Sequence, residues 1–142
     1  MCAAVVTAAL AAAGAVACNN SSSSTLPAVA ATPIYGTETF SGTVAVQGSD
    51  THPFTVAISG TVTVTLTAAG PPSTITMGVL VGQPATAGSS TCIALSGGTI
   101  TGSASTNPLL SGTIQAGAYC VQIFDVGNQT GPVTYTLTVN HS

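Results

Sequence analysis

Apolar and polar residues alternate one by one along much of this chain. Residues 61–67 read TVTVTLT, which puts Val62, Val64 and Leu66 on one face and threonines on the other. Residues 133–139 read VTYTLTV, with Val133, Tyr135, Leu137 and Val139 sharing a face. A period of two in β-branched residues is the mark of a strand with one face buried. Weaker copies follow: Val44 and Val46; Phe54, Val56 and Ile58; Ile75, Met77, Val79 and Val81; Tyr119, Val121 and Ile123. Shorter candidates are 92–95, 99–105 and 109–114. Between them lie Gly48-Ser49-Asp50, Ala69-Gly70-Pro71-Pro72, Gly97-Gly98, Thr106-Asn107-Pro108, Gly127-Asn128 and Gly131-Pro132, all of turn chemistry. No stretch after the N-terminal apolar run shows capped helical periodicity. The pattern predicts an all-β domain over 37–142: an antiparallel, jelly-roll-like β-sandwich of about eight strands.

The first residues break the pattern. Residues 1–17 form a continuous apolar run ending Ala15-Val16-Ala17, and Cys18 follows. The run falls short of the about 20 residues of a membrane span, and its small C-terminal residues fit a cleaved signal peptide. A cysteine directly after them resembles a bacterial lipobox, in which Cys18 becomes the lipidated first residue; leucine is usual where Ala15 stands. An ordinary signal peptide or a retained anchor are the alternatives. The run opens without basic residues, so the expected start of translation lies upstream of Met1. Residues 18–36, with NNSSSST followed by Pro27 and Pro33, read as a tether. The resulting expectation is an exported protein held by a lipid at the outer membrane, periplasm or cell surface.

Composition narrows the chemistry. The 142 residues include no lysine or arginine, three acids and two histidines. Charged residues make up 2%, against about 25% in an ordinary domain. Nucleic-acid binding, which neutralises phosphates with cations, is excluded. So are phosphate loops that need a lysine. Hydrophobic content of 45% and a mean hydropathy of +0.58 argue against disorder. Of the four cysteines, Cys2 and Cys18 belong to the signal. Cys92 and Cys120 remain, and in an oxidising compartment such a pair is most simply a disulfide.

The order of the strands resembles the bacterial pre-peptidase C-terminal (PPC) domain. The residues that carry the likeness are His52-Pro53-Phe54-Thr55-Val56, then Gly60-Thr61-Val62-Thr63-Val64-Thr65-Leu66, then 114–119 with Ala-Gly-Ala-Tyr, 121–125, and the Tyr-x-Leu strand 135–139. It spans about residues 38–139 and leaves 84–108 unmatched. The resemblance implies a jelly-roll-like sandwich and a non-catalytic module. Such domains trail exported proteases, and some bind collagen or calcium.

Candidate chemistry is sparse. Asp50 and His52 could form an acid–base pair, but no Gly-x-Ser-x-Gly nucleophile motif accompanies them. A turn before Pro53, with Asp50 capping it, is the simpler reading. Zinc wants three or four His, Cys or carboxylate ligands, and His52 and His141 are far apart in sequence. A weak calcium site at Asp125 and Asn128 is the one metal candidate. Aromatic platforms for glycans are scarce: there is no tryptophan, and Phe54, Tyr119 and Tyr135 fall on apolar faces. The functional expectation is therefore a non-enzymatic lipoprotein module without a cofactor. Its partner would be an extracellular or envelope protein or a polysaccharide. An accessory or pro-domain acting with a secreted peptidase, or a weak calcium or glycan binder, are the rivals.

Overall fold

The computed structural model describes residues 36–142. The signal-like run 1–17, the lipidation candidate Cys18 and the tether up to residue 35 lie outside the described residues. Eight strands follow in order: β1 Gly36–Val44, β2 Ser49–Val56, β3 Gly60–Gly70, β4 Thr76–Pro84, β5 Cys92–Ser103, β6 Leu110–Ile114, β7 Gly117–Asp125 and β8 Val133–His141. They form two four-stranded antiparallel sheets, ordered β1-β8-β3-β6 and β2-β7-β4-β5. Only β4 and β5 are sequence neighbours that pair with each other; every other connection crosses between sheets. That winding makes the sandwich a jelly roll.

Period-two patterning decides which side chains go inside. Val62, Val64 and Leu66 of β3 face Met77, Val79 and Val81 of β4, with Val121 and Ile123 of β7 and Val133, Leu137 and Val139 of β8 completing the core. Each such side chain, fully buried, stabilises the fold by about 1.5–3 kcal/mol relative to exposure. The outward positions of β1, β3 and β8 are threonine-rich. Thr39 registers with Thr138, and Ser41 with Thr136. Threonine keeps β-propensity where a hydroxyl meets water.

Several elements differ from the sequence pattern. The first strand ends at Val44, so Val46 does not extend it. Gln47, with φ 57°, and a Gly48 N–H donated to the Ala45 carbonyl turn the chain there, leaving Val46 exposed. Asp50 and His52 lie within β2 rather than in a turn. The short candidates 92–95 and 99–105 are one strand, β5. Its register against β4 jumps from Ala94 opposite Gly82 to Thr99 opposite Leu80, and Gly97, at φ 72°, supplies the left-handed conformation inside this bulge.

Cys92 and Cys120 are joined, with Cα atoms 5.9 Å apart. The bridge ties β5 to β7 beside Gly82 of β4, where a Cβ would stand 3.0 Å from the Cys92 sulfur. It closes a sequence separation of 28. In the chain-entropy model a loop of that size is worth about 3–4 kcal/mol.

Candidate functional site

A sandwich of two sheets has two open sides, each bounded by one edge strand from either sheet. Here β1 and β2 bound one side, and β5 and β6 the other. Their chemistry differs sharply.

The β1/β2 side holds every acid and histidine of the chain except Asp125. Even-numbered residues of β1 and β2 point between the sheets, and so do odd-numbered residues of β8. Glu38 thereby meets His141, with its carboxylate 3.0 Å from Nε2. His141 is buried against Phe54, with ring centroids 5.5 Å apart, and its Nδ1 has no partner. Gly36 leaves room for the imidazole, since a Cβ there would lie 2.8 Å from its Cε1. Further along, the Tyr135 hydroxyl donates to Asp50 Oδ2 at 2.6 Å. Its single proton is used there, so its 2.5 Å contact with His52 Nε2 must be donated by the histidine. Asp50 Oδ2 lies 3.5 Å from the same Nε2. Phe40 stacks on the His52 ring at 4.6 Å and 9°. Burial, and then the hydrogen bond and charge of Asp50, raise the Tyr135 phenol well above its ordinary pKa.

Asp125 closes the corner above this side. One oxygen accepts the Gln47 N–H of the β1–β2 turn. The other accepts the N–H groups of Gly127, Asn128 and Gln129. The Gln47 N–H foremost, helped by the other three, holds the Asp125 carboxyl below the usual carboxylate range. The Asn128 side-chain nitrogen donates to the Thr76 carbonyl. At the weak calcium candidate, then, the carboxylate gathers backbone donors. Among the described residues no three His, Cys, Asp or Glu side chains converge.

The β5/β6 side carries no charge. A cleft of about 160 Å³ opens there between the Leu95–Gly98 bulge of β5 and strand β6, floored by Val62, Val81 and Ile114. Beside it, β5 presents a 12-residue free edge with Ile93 58% and Ile100 38% exposed. Natural edge strands are usually blunted by charge, proline or brevity. β2 has Pro53 and its acid and histidine; β6 has 5 residues. β5 has only its bulge.

Of the residues singled out from sequence, Cys92 and Cys120 are brought together, and Phe54, Tyr119 and Tyr135 are buried. Cys18 is outside the described residues. Sequence reasoning missed Tyr135 as the partner of Asp50 and His52, and Glu38 as the partner of His141. Parity was the available signal: Asp50 and His52 share it with Phe54 and Val56, and His141 shares it with Tyr135 through Val139.

No protein-family model and no curated protein matches the chain. Among solved structures, the fold is similar to PliG of Aeromonas hydrophila, a periplasmic lysozyme inhibitor of g-type lysozyme. The two share 16% identity at a TM-score of 0.46, over 72% of this chain and 83% of that one.

Proposed function

We propose that this chain is a non-enzymatic, exported bacterial lipoprotein. In this reading its PPC-like sandwich is a binding module that engages a protein partner along the β5/β6 side. The observation that carries the reading is the free edge of β5: 12 residues long, uncharged, with Ile93 and Ile100 outward and an apolar cleft alongside. Unpaired main-chain groups on such an edge accept an extended segment of another protein, and a neighbouring apolar cleft adds side-chain selectivity. Export is supported by the Cys92–Cys120 bridge, since disulfides persist in oxidising compartments. Lipid anchoring rests on Cys18 following Ala15-Val16-Ala17, and the PPC-like assignment on the ordered motifs 52–56, 60–66, 114–119 and 135–139. A non-enzymatic role is supported by how the titratable groups are used. Glu38 pairs with His141, Tyr135 joins Asp50 to His52, and Asp125 collects backbone donors.

The test is capture of partner proteins from the envelope of the producing cells by the purified protein and by charged-edge variants. Ile93→Lys and Ile100→Lys should abolish the capture of specific bands. Thr39→Lys, on the exposed outer face of β1, should leave it intact. Capture insensitive to the β5 charges, or no capture at all, defeats the reading. Fatty-acid labelling lost on Cys18→Ser checks the anchor separately.

A further inference from the structure

The Asp50, His52 and Tyr135 group offers more than a hydrogen-bonded seam. Three donors of different chemistry meet at one point: an imidazole nitrogen, a carboxylate oxygen and a phenol oxygen. Their separations are 2.5 Å (His52 Nε2 to Tyr135 Oη), 2.6 Å (Tyr135 Oη to Asp50 Oδ2) and 3.5 Å (His52 Nε2 to Asp50 Oδ2). Nitrogen and oxygen ligands lie about 2.0–2.2 Å from a bound zinc ion. An ion placed off the plane of these three atoms reaches all of them at the roughly 90° angles of a tetragonal copper site once the two short contacts open by a few tenths of an ångström, and at the tetrahedral angles of zinc once they open by about 1 Å. We propose that Asp50, His52 and Tyr135 form a three-donor site for a divalent transition ion, copper or zinc, on the open β1/β2 side of the sandwich.

The surroundings fit such a site. The His52 and Asp50 side chains are 22% and 35% exposed, so an ion and its remaining waters have access. Tyr135 is buried below them and anchored by β8. The Phe40 ring stacks on the imidazole and sets its plane. Gly42 keeps the floor clear: a Cβ there would stand 2.5 Å from Asp50 Oδ2 and 2.9 Å from the Tyr135 oxygen. Mixed imidazole and oxygen ligation suits copper and zinc, and copper binds tighter in the divalent series. Binding releases the phenol proton of Tyr135 to solvent, and the His52 proton moves from Nε2 to Nδ1. The ion's charge then compensates the phenolate beside Asp50. Three protein ligands leave coordination positions for water or for a group on a partner. Cys92 and Cys120 are oxidised to a disulfide and do not compete as thiolates.

The experiment is a titration of the purified protein with copper(II) against a weak competing chelator, read by visible absorption and by metal analysis. The expected result is one ion per chain with a phenolate-to-copper charge-transfer band. Tyr135→Phe, which keeps the buried ring, should abolish the band. His52→Gln should weaken binding at least tenfold. Glu38→Gln, at the neighbouring pair, should change neither. Circular dichroism establishes that each variant is folded. Absence of stoichiometric binding overturns the proposal. So does a band that survives in Tyr135→Phe, or affinity that is unmoved in His52→Gln.

Discussion

The two open sides of this sandwich solve the same problem in opposite ways. Both must close the gap between an edge strand of one sheet and an edge strand of the other. On the β1/β2 side the gap is filled by aromatic rings and a line of acid–histidine contacts, from Glu38 and His141 to Asp50, Tyr135 and His52. On the β5/β6 side glycines and a bulge leave a cleft, and a disulfide adds to the β4 ladder and the Ser103 hydrogen bonds that secure β5. Buried polar groups are costly unless every one finds a partner. A chain with so few ionisable residues therefore gains by concentrating them, because grouped side chains satisfy most of one another's polar atoms, His141 Nδ1 being the exception. The other side can stay uncharged and open. Scarcity of charge thus has a spatial consequence: one side gathers the polar chemistry, and the other is left uncharged with a cleft and a free edge.

The largest expected effect breaks the comparison at its covalent end. Replacing both Cys92 and Cys120 with serine should lower unfolding free energy by about 3–4 kcal/mol, read by urea denaturation. Hydrogen exchange should rise along the β5 end of the sheet, while amides of β1 and β8 keep their protection relative to the global value. Equal loosening of both sides would show that the bridge serves the whole sandwich rather than β5.

A smaller effect probes the polar side. Tyr135→Phe keeps the ring in the core but strips Asp50 and His52 of the hydroxyl between them. Losing one such bond, with a carboxylate as acceptor, costs about 1–3 kcal/mol. The tyrosine also makes stability depend on alkaline pH. Its folded pKa is raised above the unfolded value of 10.0, so its contribution is complete below about pH 10 and is lost as pH climbs toward the folded value. Wild-type protein should therefore lose its advantage over Tyr135→Phe in strong alkali. A constant gap between the two across that range would contradict the assignment.

Much of this architecture was legible because β-branched alternation is so regular. Val62, Val64 and Leu66, or Tyr135, Leu137 and Val139, declare both a strand and its inner face. The legibility fails where a strand carries no apolar residues to mark its period. Ser49-Asp50-Thr51-His52 reads as a turn, yet continues the strand of Phe54 and Val56. It fails again where alternation runs past a strand's end, as at Val46, which local turn geometry expels. The polar site was hidden for a further reason. Tyr135 lies 85 positions from Asp50, and only the jelly-roll winding places β8 across from β2. Strand pairing between distant segments is set by the packing of the whole sandwich, which no local pattern encodes. The cysteine pair needed no such knowledge, since the expectation of an oxidising compartment and an even count sufficed.

The smallest effect concerns the corner where the polar side is fastened. Asp125 joins the β1–β2 turn to the loop after β7 by accepting four backbone N–H groups. These bonds favour the charged carboxylate, which is why its folded pKa lies below 3.8. A depressed pKa contributes stability above the unfolded value and loses it as pH falls through the folded one. Asp125→Asn keeps the size of the side chain but only one carbonyl acceptor. Near neutral pH it should melt slightly below the wild type, with the loss confined to exchange protection around Gln47 and 127–129. As pH falls below the ordinary value of 3.8 and on through the lowered folded value, the wild-type carboxylate takes up its proton and the melting temperatures should converge. The β5/β6 side has no titrating group in that range, so its exchange protection should be indifferent both to the substitution and to acid. A gap that persists to low pH would mean that Asp125 holds the corner by shape rather than by charge.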